Sequence, residues 1–164
     1  KSMASVGAFI CSSENVINFL GYNMRSQVFA KSLPMPLVVG AIKRLEMLKK
    51  AEQKDKLWTI TNALQKGLVD AGFNLGKTNS CVTPVMISGT VDEAIAITHD
   101  LRENHSIFTS IVVYPVVPKG MILLRLIPTA SHSLEDVDYT IETFKKVKEK
   151  LNAGEYGIKL VNTH

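Results

Sequence analysis

Cysteine is scarce in this chain, with only Cys11 and Cys81 among 164 residues. The two lie far apart and match no metal-ligand spacing. No secretion signal is recognisable, so a reducing, cytoplasmic setting is expected rather than a disulfide. Cys11 follows Phe9 and Ile10 and is expected to be buried as a small hydrophobe. The four histidines (His99, His105, His132, His164) form no zinc pattern, so no metal is expected. His132, between Ser131 and Ser133, is expected to form local hydrogen bonds rather than to catalyse. No apolar run approaches the roughly 20 residues that cross a bilayer, so no membrane span is expected. Charge of one sign is not massed either. There are 19 Lys and Arg against 15 Asp and Glu, a net +4, with lysines scattered along helical patterns and no aromatic interleaving. Nucleic acid is therefore not an expected partner. Internal repeats and low-complexity tracts are absent. What remains is ordinary globular material, 46% hydrophobic and 21% charged, enough for one domain or one domain with an appendage.

The pattern along the chain falls into two styles. Ser12-Ser13-Glu14 offers a helix N-cap, after which Val16, Ile17, Phe19, Leu20 and Met24 recur at helical spacing. A loop, Arg25 to Pro36, carries two prolines that suit a helix entrance and would damage a helix interior. From about Pro36 to Ala71 the spacing predicts a long helical stretch through Leu37, Ala41, Leu45, Leu48, Leu57, Ile60, Leu64 and Leu68. Its charged middle, residues 49–56, is the expected place for a break. Gly72 should stop it in a left-handed conformation. Beyond this point β-branched residues take over. Strands are predicted over 82–88, 107–114 and 121–127, the last two separated by the turn 115–120. Thr90-Val-Asp-Glu93 is a capping box opening a helix with Ala94, Ile95, Ile97 and Leu101 on one stripe. Ser133-Leu-Glu-Asp136 opens a final amphipathic helix to about Leu151, lysine-rich towards its C-terminus, where the macrodipole favours cations. The order strand, helix, strand, strand, helix predicts an α+β layer: a mostly antiparallel sheet with helices on one face.

Three places could carry chemistry. Lys1 precedes small residues (Ser2, Ala4, Ser5, Gly7, Ala8) that suit a backbone passing close to a flat ligand. A lysine amine can condense with an aldehyde and move protons, although a lysine at this position also reads as a plain chain end. Arg125 sits on a strand among Ile122, Leu123, Leu124, Leu126 and Ile127. A guanidinium stays charged on burial and requires an anion. The residues alone leave two readings open: a bound carboxylate, or an edge arginine that reaches water or pairs with a structural carboxylate. Ser32, in the loop before the prolines, could donate to a phosphate, as few loop serines do.

Taken together, four segments resemble the α-oxoamine synthases, a family of pyridoxal-phosphate enzymes that includes glycine C-acetyltransferase, serine palmitoyltransferase and 8-amino-7-oxononanoate synthase. Lys1-Ser-Met-Ala-Ser-Val-Gly-Ala-Phe9 is similar to the family's lysine motif, with Ala8 where a second glycine is usual. Asn23 to Pro34 resembles its Arg-Ser-x-x-Phe-Ser-x-Ser-x-Pro loop, departing from it at Ala30 and Lys31. Tyr114-Pro-Val-Val-Pro-Lys-Gly120 is similar to the glycine C-acetyltransferase branch, and Tyr114 stands where oxononanoate synthases carry arginine. Arg125-Leu-Ile-Pro-Thr-Ala-Ser-His-Ser133 resembles the run that closes family members. The resemblance covers residues 1 to about 151.

It implies the C-terminal small domain of a fold-type I pyridoxal-phosphate transferase, α/β overall in the parent, plus a long linking helix. Residues 1–35 would be a remnant of the large cofactor-binding domain, 36–152 the long helix and small domain, and 153–164 a tail. Lys1 would hold pyridoxal 5'-phosphate covalently and remove the substrate's α-proton. Ser32 would approach the phosphate of cofactor held by a neighbouring subunit of a homodimer, and Arg125 would hold the amino-acid carboxylate. The implied reaction condenses a small amino acid (glycine, serine or alanine) with an acyl-CoA, releasing CoA and usually carbon dioxide. The ring-stacking aromatic and the aspartate for the pyridine nitrogen would precede the lysine, so the isolated chain is expected to be inactive. The competing readings are a fold-type I aminotransferase and a non-catalytic α+β interaction domain.

Overall fold

The structure, a computed structural model, describes residues 4–119 and 121–157. The chain forms two compact units, Lys1–Ala51 and Glu52–His164. The first holds α1 (Glu14–Asn23), a four-residue helix α2 (Arg25–Val28) and α3 (Met35–Leu48). Ser13 occupies the N-cap position of α1 but its hydroxyl makes no capping bond. Pro36 lies in the first turn of α3, where a missing N–H costs nothing. None of the described residues in this unit is buried. Phe9 and Phe29, for example, are 79% and 76% exposed. Cys11 is exposed as well, against the expectation from its apolar neighbours. Phe9 and Ile10 are themselves exposed, so they provide no interior to receive it.

The helical stretch predicted from 36 to 71 is interrupted within its charged middle. α3 ends at Leu48, residues 49–51 turn, and α4 runs Glu52–Asp70. Gly72 closes α4 at φ +77°. Its N–H donates to the Val69 carbonyl (2.9 Å) and that of Phe73 to the Leu68 carbonyl (3.0 Å), the Schellman pairing that a left-handed glycine permits.

The second unit continues with β1 (Thr83–Ile87), α5 (Val91–Glu103), β2 (Ser110–Val112), β3 (Ile122–Leu126) and α6 (Leu134–Asn152). The strands form one antiparallel sheet in the order β1-β3-β2. The capping boxes of α5 and α6 form as their sequences predict, at Thr90/Glu93 and Ser133/Asp136. All three strands are shorter than predicted. The two strands flanking the 115–120 turn lose their outer residues to loop structure.

Strand side chains alternate between faces. Thr83, Val85, Ile122, Leu124 and Leu126 are buried, and the register pairs Thr83 with Leu126, Val85 with Leu124 and Ile87 with Ile122. This face meets Ile60, Leu64 and Leu68 of α4, Ile97 and Leu101 of α5, and Val137, Phe144 and Val147 of α6. Full burial of each such side chain contributes about 1.5–3 kcal/mol. On α5 the inward stripe is Ala94, Ile97 and Leu101, whereas Ile95 points out and is exposed. Helices thus cover one face of the sheet, and the fold is α+β, as the pattern predicts.

The inward stripe of α5 also carries a charge that sequence reading overlooks. Asp100 is buried and accepts hydrogen bonds from Asn104 Nδ2 (2.7 Å), Lys150 Nζ (2.9 Å) and Tyr156 Oη. Burial by itself disfavours the carboxylate. The hydrogen bonds from Tyr156, Asn104 and Lys150, with the Lys150 charge, outweigh it and hold the Asp100 carboxyl well below its ordinary pKa. Burial, then the hydrogen bond to Asp100, raises the Tyr156 phenol. One carboxylate therefore joins α5, α6 and the segment following α6.

Asp100→Ala removes the acceptor of three hydrogen bonds and should lower the unfolding free energy by about 1–3 kcal/mol, measured by urea denaturation. The folded carboxyl binds its proton less tightly than the unfolded one. Its contribution should therefore be complete above the unfolded value of about 3.9 and lost as pH falls through the lower folded value. Asp100→Asn should flatten that acid limb, and an unchanged limb would refute the assignment.

Candidate functional site

β3 is the central strand, so Arg125 is not an edge residue as one sequence reading had it. It belongs to the face opposite the core. Its cross-strand partners are Pro84 on β1 and Ser110 on β2, and the adjacent row is Met86, Leu123 and Val112. That row is half-buried, while Arg125 is exposed. The side chain is tethered: Arg125 Nε donates to Ser110 Oγ at 3.2 Å. Its backbone is held too, because the hydroxyl of the buried Thr109 donates to the Arg125 carbonyl at 3.0 Å. No carboxylate pairs with Arg125 among the described residues. The reading as a structural ion pair therefore has no partner in the described structure. What remains is an exposed, hydrogen-bonding guanidinium on the sheet face opposite the core, open both to water and to an anion.

Lys1 lies outside the described residues. The small residues that follow it do enter the structure. Gly7 adopts φ +111°, and a Cβ built there would stand 3.1 Å from Leu33 Cδ1. The post-lysine segment therefore lies against the loop that carries Ser32, at a residue whose positive φ favours glycine. Ser32 itself is exposed in that loop, between α2 and α3. The structure thus brings together two segments that the sequence reading singled out separately, residues 4–9 and 30–34. Arg125 belongs to the other compact unit.

His132 behaves as its neighbours predict. Its Nδ1 accepts from the Thr129 N–H at 3.0 Å, and its own N–H donates to the Thr129 carbonyl at 3.2 Å, closing the turn before α6. Among the described residues no group of three or more potential ligands could hold a metal ion. No described helix is long and apolar enough to cross a membrane. Thr109 and Ser110 were missed by sequence reading. A hydroxyl pair entering a strand carries no motif, and only the antiparallel register shows that Ser110 faces Arg125.

No protein-family model matches the chain. Individual relatives do. The cysteate-C-fatty acyltransferase of Capnocytophaga ochracea is 59% identical over 157 residues, covering 95% of this chain and 37% of that protein. The 8-amino-7-oxononanoate synthase of Alkaliphilus oremlandii is 33% identical over 153 residues, 93% of this chain and 38% of that protein. The serine palmitoyltransferase of Sphingobacterium spiritivorum is 32% identical over 148 residues, 90% and 37%. In three dimensions the chain superposes on the serine palmitoyltransferase of Sphingomonas wittichii with a TM-score of 0.79 at 28% identity, covering 93% of this chain and 39% of that one. The fold is thus that of the C-terminal part of a fold-type I pyridoxal-phosphate enzyme. The chain belongs to the α-oxoamine synthase family and matches its C-terminal portion. It spans 37–38% of the length of these curated relatives.

Arg125→Ala removes an exposed side chain with one hydrogen bond and no structural ion pair among the described residues. Urea denaturation should place it within about 0.5 kcal/mol of the parent chain. A loss above about 1.5 kcal/mol would make the arginine structural and remove it from the site.

Proposed function

We propose that the protein to which this chain belongs transfers a fatty acyl group from an acyl-CoA to the α-carbon of an amino acid, releasing CoA and carbon dioxide. The observation that carries the proposal is Arg125, a guanidinium held at the centre of the open sheet face with no carboxylate partner among the described residues. The amino acid we propose is cysteate, alanine bearing a β-sulfonate, because the 59%-identical relative is named for it. Cysteate takes the place of the glycine, serine or alanine expected from the sequence.

The residues present fit pyridoxal 5'-phosphate. A solved serine palmitoyltransferase that contains this cofactor matches the chain at 26% identity and a TM-score of 0.78. On this chain the supporting features are the positive-φ Gly7, the exposed Ser32 in the loop whose Leu33 meets Gly7, and Arg125, which has no carboxylate partner among the described residues. When bound, the cofactor supplies the electron sink that makes the α-carbon acidic. Lys1 carries it and moves the α-proton through its amine. Ser32 donates its hydroxyl to a phosphate oxygen, from the neighbouring subunit of a homodimer. Arg125 holds the carboxylate by paired N–H bonds, which fixes the amino acid's orientation. A cytoplasmic location, and the division of the chain into a cofactor-domain remnant (1–35), long helix and small domain (36–152) and tail (153–164), belong to the same proposal.

The test is thiol release from a long-chain acyl-CoA by the complete enzyme, supplied in turn with cysteate, serine, glycine and alanine. Cysteate should give the highest kcat/KM, and Lys1→Ala should abolish turnover. Arg125→Ala should raise KM for the amino acid about tenfold to a hundredfold, equivalent to about 1.4–2.8 kcal/mol. The isolated 164-residue chain should show no turnover. Keto-acid formation without CoA release would replace the proposal with an aminotransferase.

A further inference from the structure

An arginine has five N–H donors in a planar fork, and a carboxylate can engage it in two bidentate ways. Side-on binding uses Nε together with one terminal nitrogen, whereas end-on binding uses the two terminal nitrogens. In this sheet the choice is already made. Ser110 lies directly across from Arg125 in the β2–β3 register, and its hydroxyl oxygen takes the Nε–H at 3.2 Å. The opposite neighbour, Pro84 on β1, has no N–H and no polar side chain to compete for the fork. Beneath the pair, the buried Thr109 fixes the Arg125 carbonyl, so consecutive hydroxyl residues hold both the backbone and the head group.

We infer that Ser110 is a positioning residue that commits Arg125 to end-on recognition of the substrate carboxylate. This rests on the reading above, in which Arg125 is the carboxylate holder. Ser110 occupies Nε, stops the side chain swinging about its last torsions, and presents both terminal nitrogens to one anion. Without the serine the fork is free to rotate and to bind by either edge. The ordering cost then falls on substrate binding rather than on folding.

The experiment compares Ser110→Ala, Ser110→Thr and Arg125→Ala in the complete, cofactor-loaded enzyme. It reads KM and kcat, the amino-acid Kd by spectral titration of the bound cofactor, and thermal unfolding. Ser110→Ala should raise both KM and Kd about two- to tenfold, the size of one typical intramolecular hydrogen bond. Its kcat should stay within about twofold and its Tm should be unchanged, since the side chain is outside the core. Ser110→Thr keeps the hydroxyl and should restore KM. Unchanged KM and Kd in Ser110→Ala, with Arg125→Ala still impaired, would overturn the positioning role and leave the carboxylate reading standing. Unchanged KM in both would overturn the carboxylate reading itself and this inference with it. A lowered Tm with no rescue by threonine would make Ser110 structural and also overturn the inference.

Discussion

The period-two alternation of β3 is the constraint on which the second unit depends. Ile122, Leu124 and Leu126 point into the core, and Leu123 and Arg125 point away. As the middle strand, β3 pairs with both others, so its register sets theirs. A slip of one residue would turn Arg125 towards the core and expose three core residues. Burying an unpaired guanidinium there would cost far more than the sheet could recover. The apolar core and the position of the charged fork are therefore decided by the same register.

Helix ends around this sheet are closed by local chemistry. The Thr90 and Ser133 capping boxes and the Gly72 closure form within a few residues of chain, which is why they could be read in advance. The Asp100 cluster is different in kind. Two of its three donors, Lys150 on α6 and Tyr156 beyond it, lie 50 and 56 residues away in sequence. An aspartate at position 100 in an amphipathic helix looks like one more solvated charge. Only packing puts it on the inward stripe, where it must find partners or lose its charge.

The first unit shows the limits of periodicity from another direction. α1 and α3 lie where the apolar spacing predicts, whereas the short α2 forms within a stretch expected to be loop, and no described residue in the unit is buried. Spacing shows which stripe of a helix is apolar. It does not show what, if anything, covers that stripe, and the expectation that Cys11 would be interior failed for that reason. The close approach of Gly7 to Leu33 is the exception, a contact between two segments that motif reading had marked independently.

By itself the sequence determined the element types, the capping chemistry, the charged break between α3 and α4, and the candidacy of Lys1, Ser32 and Arg125. These follow from neighbours within a turn or two, or from motifs that keep their order along the chain. Tertiary structure alone decided that β3 is central rather than an edge, that Arg125 faces away from the core, and that Ser110 takes its Nε. It also placed Asp100 inside. Each of these depends on pairing between residues at least eleven positions apart. The free energy of such pairings comes from burial and register, which no local pattern encodes.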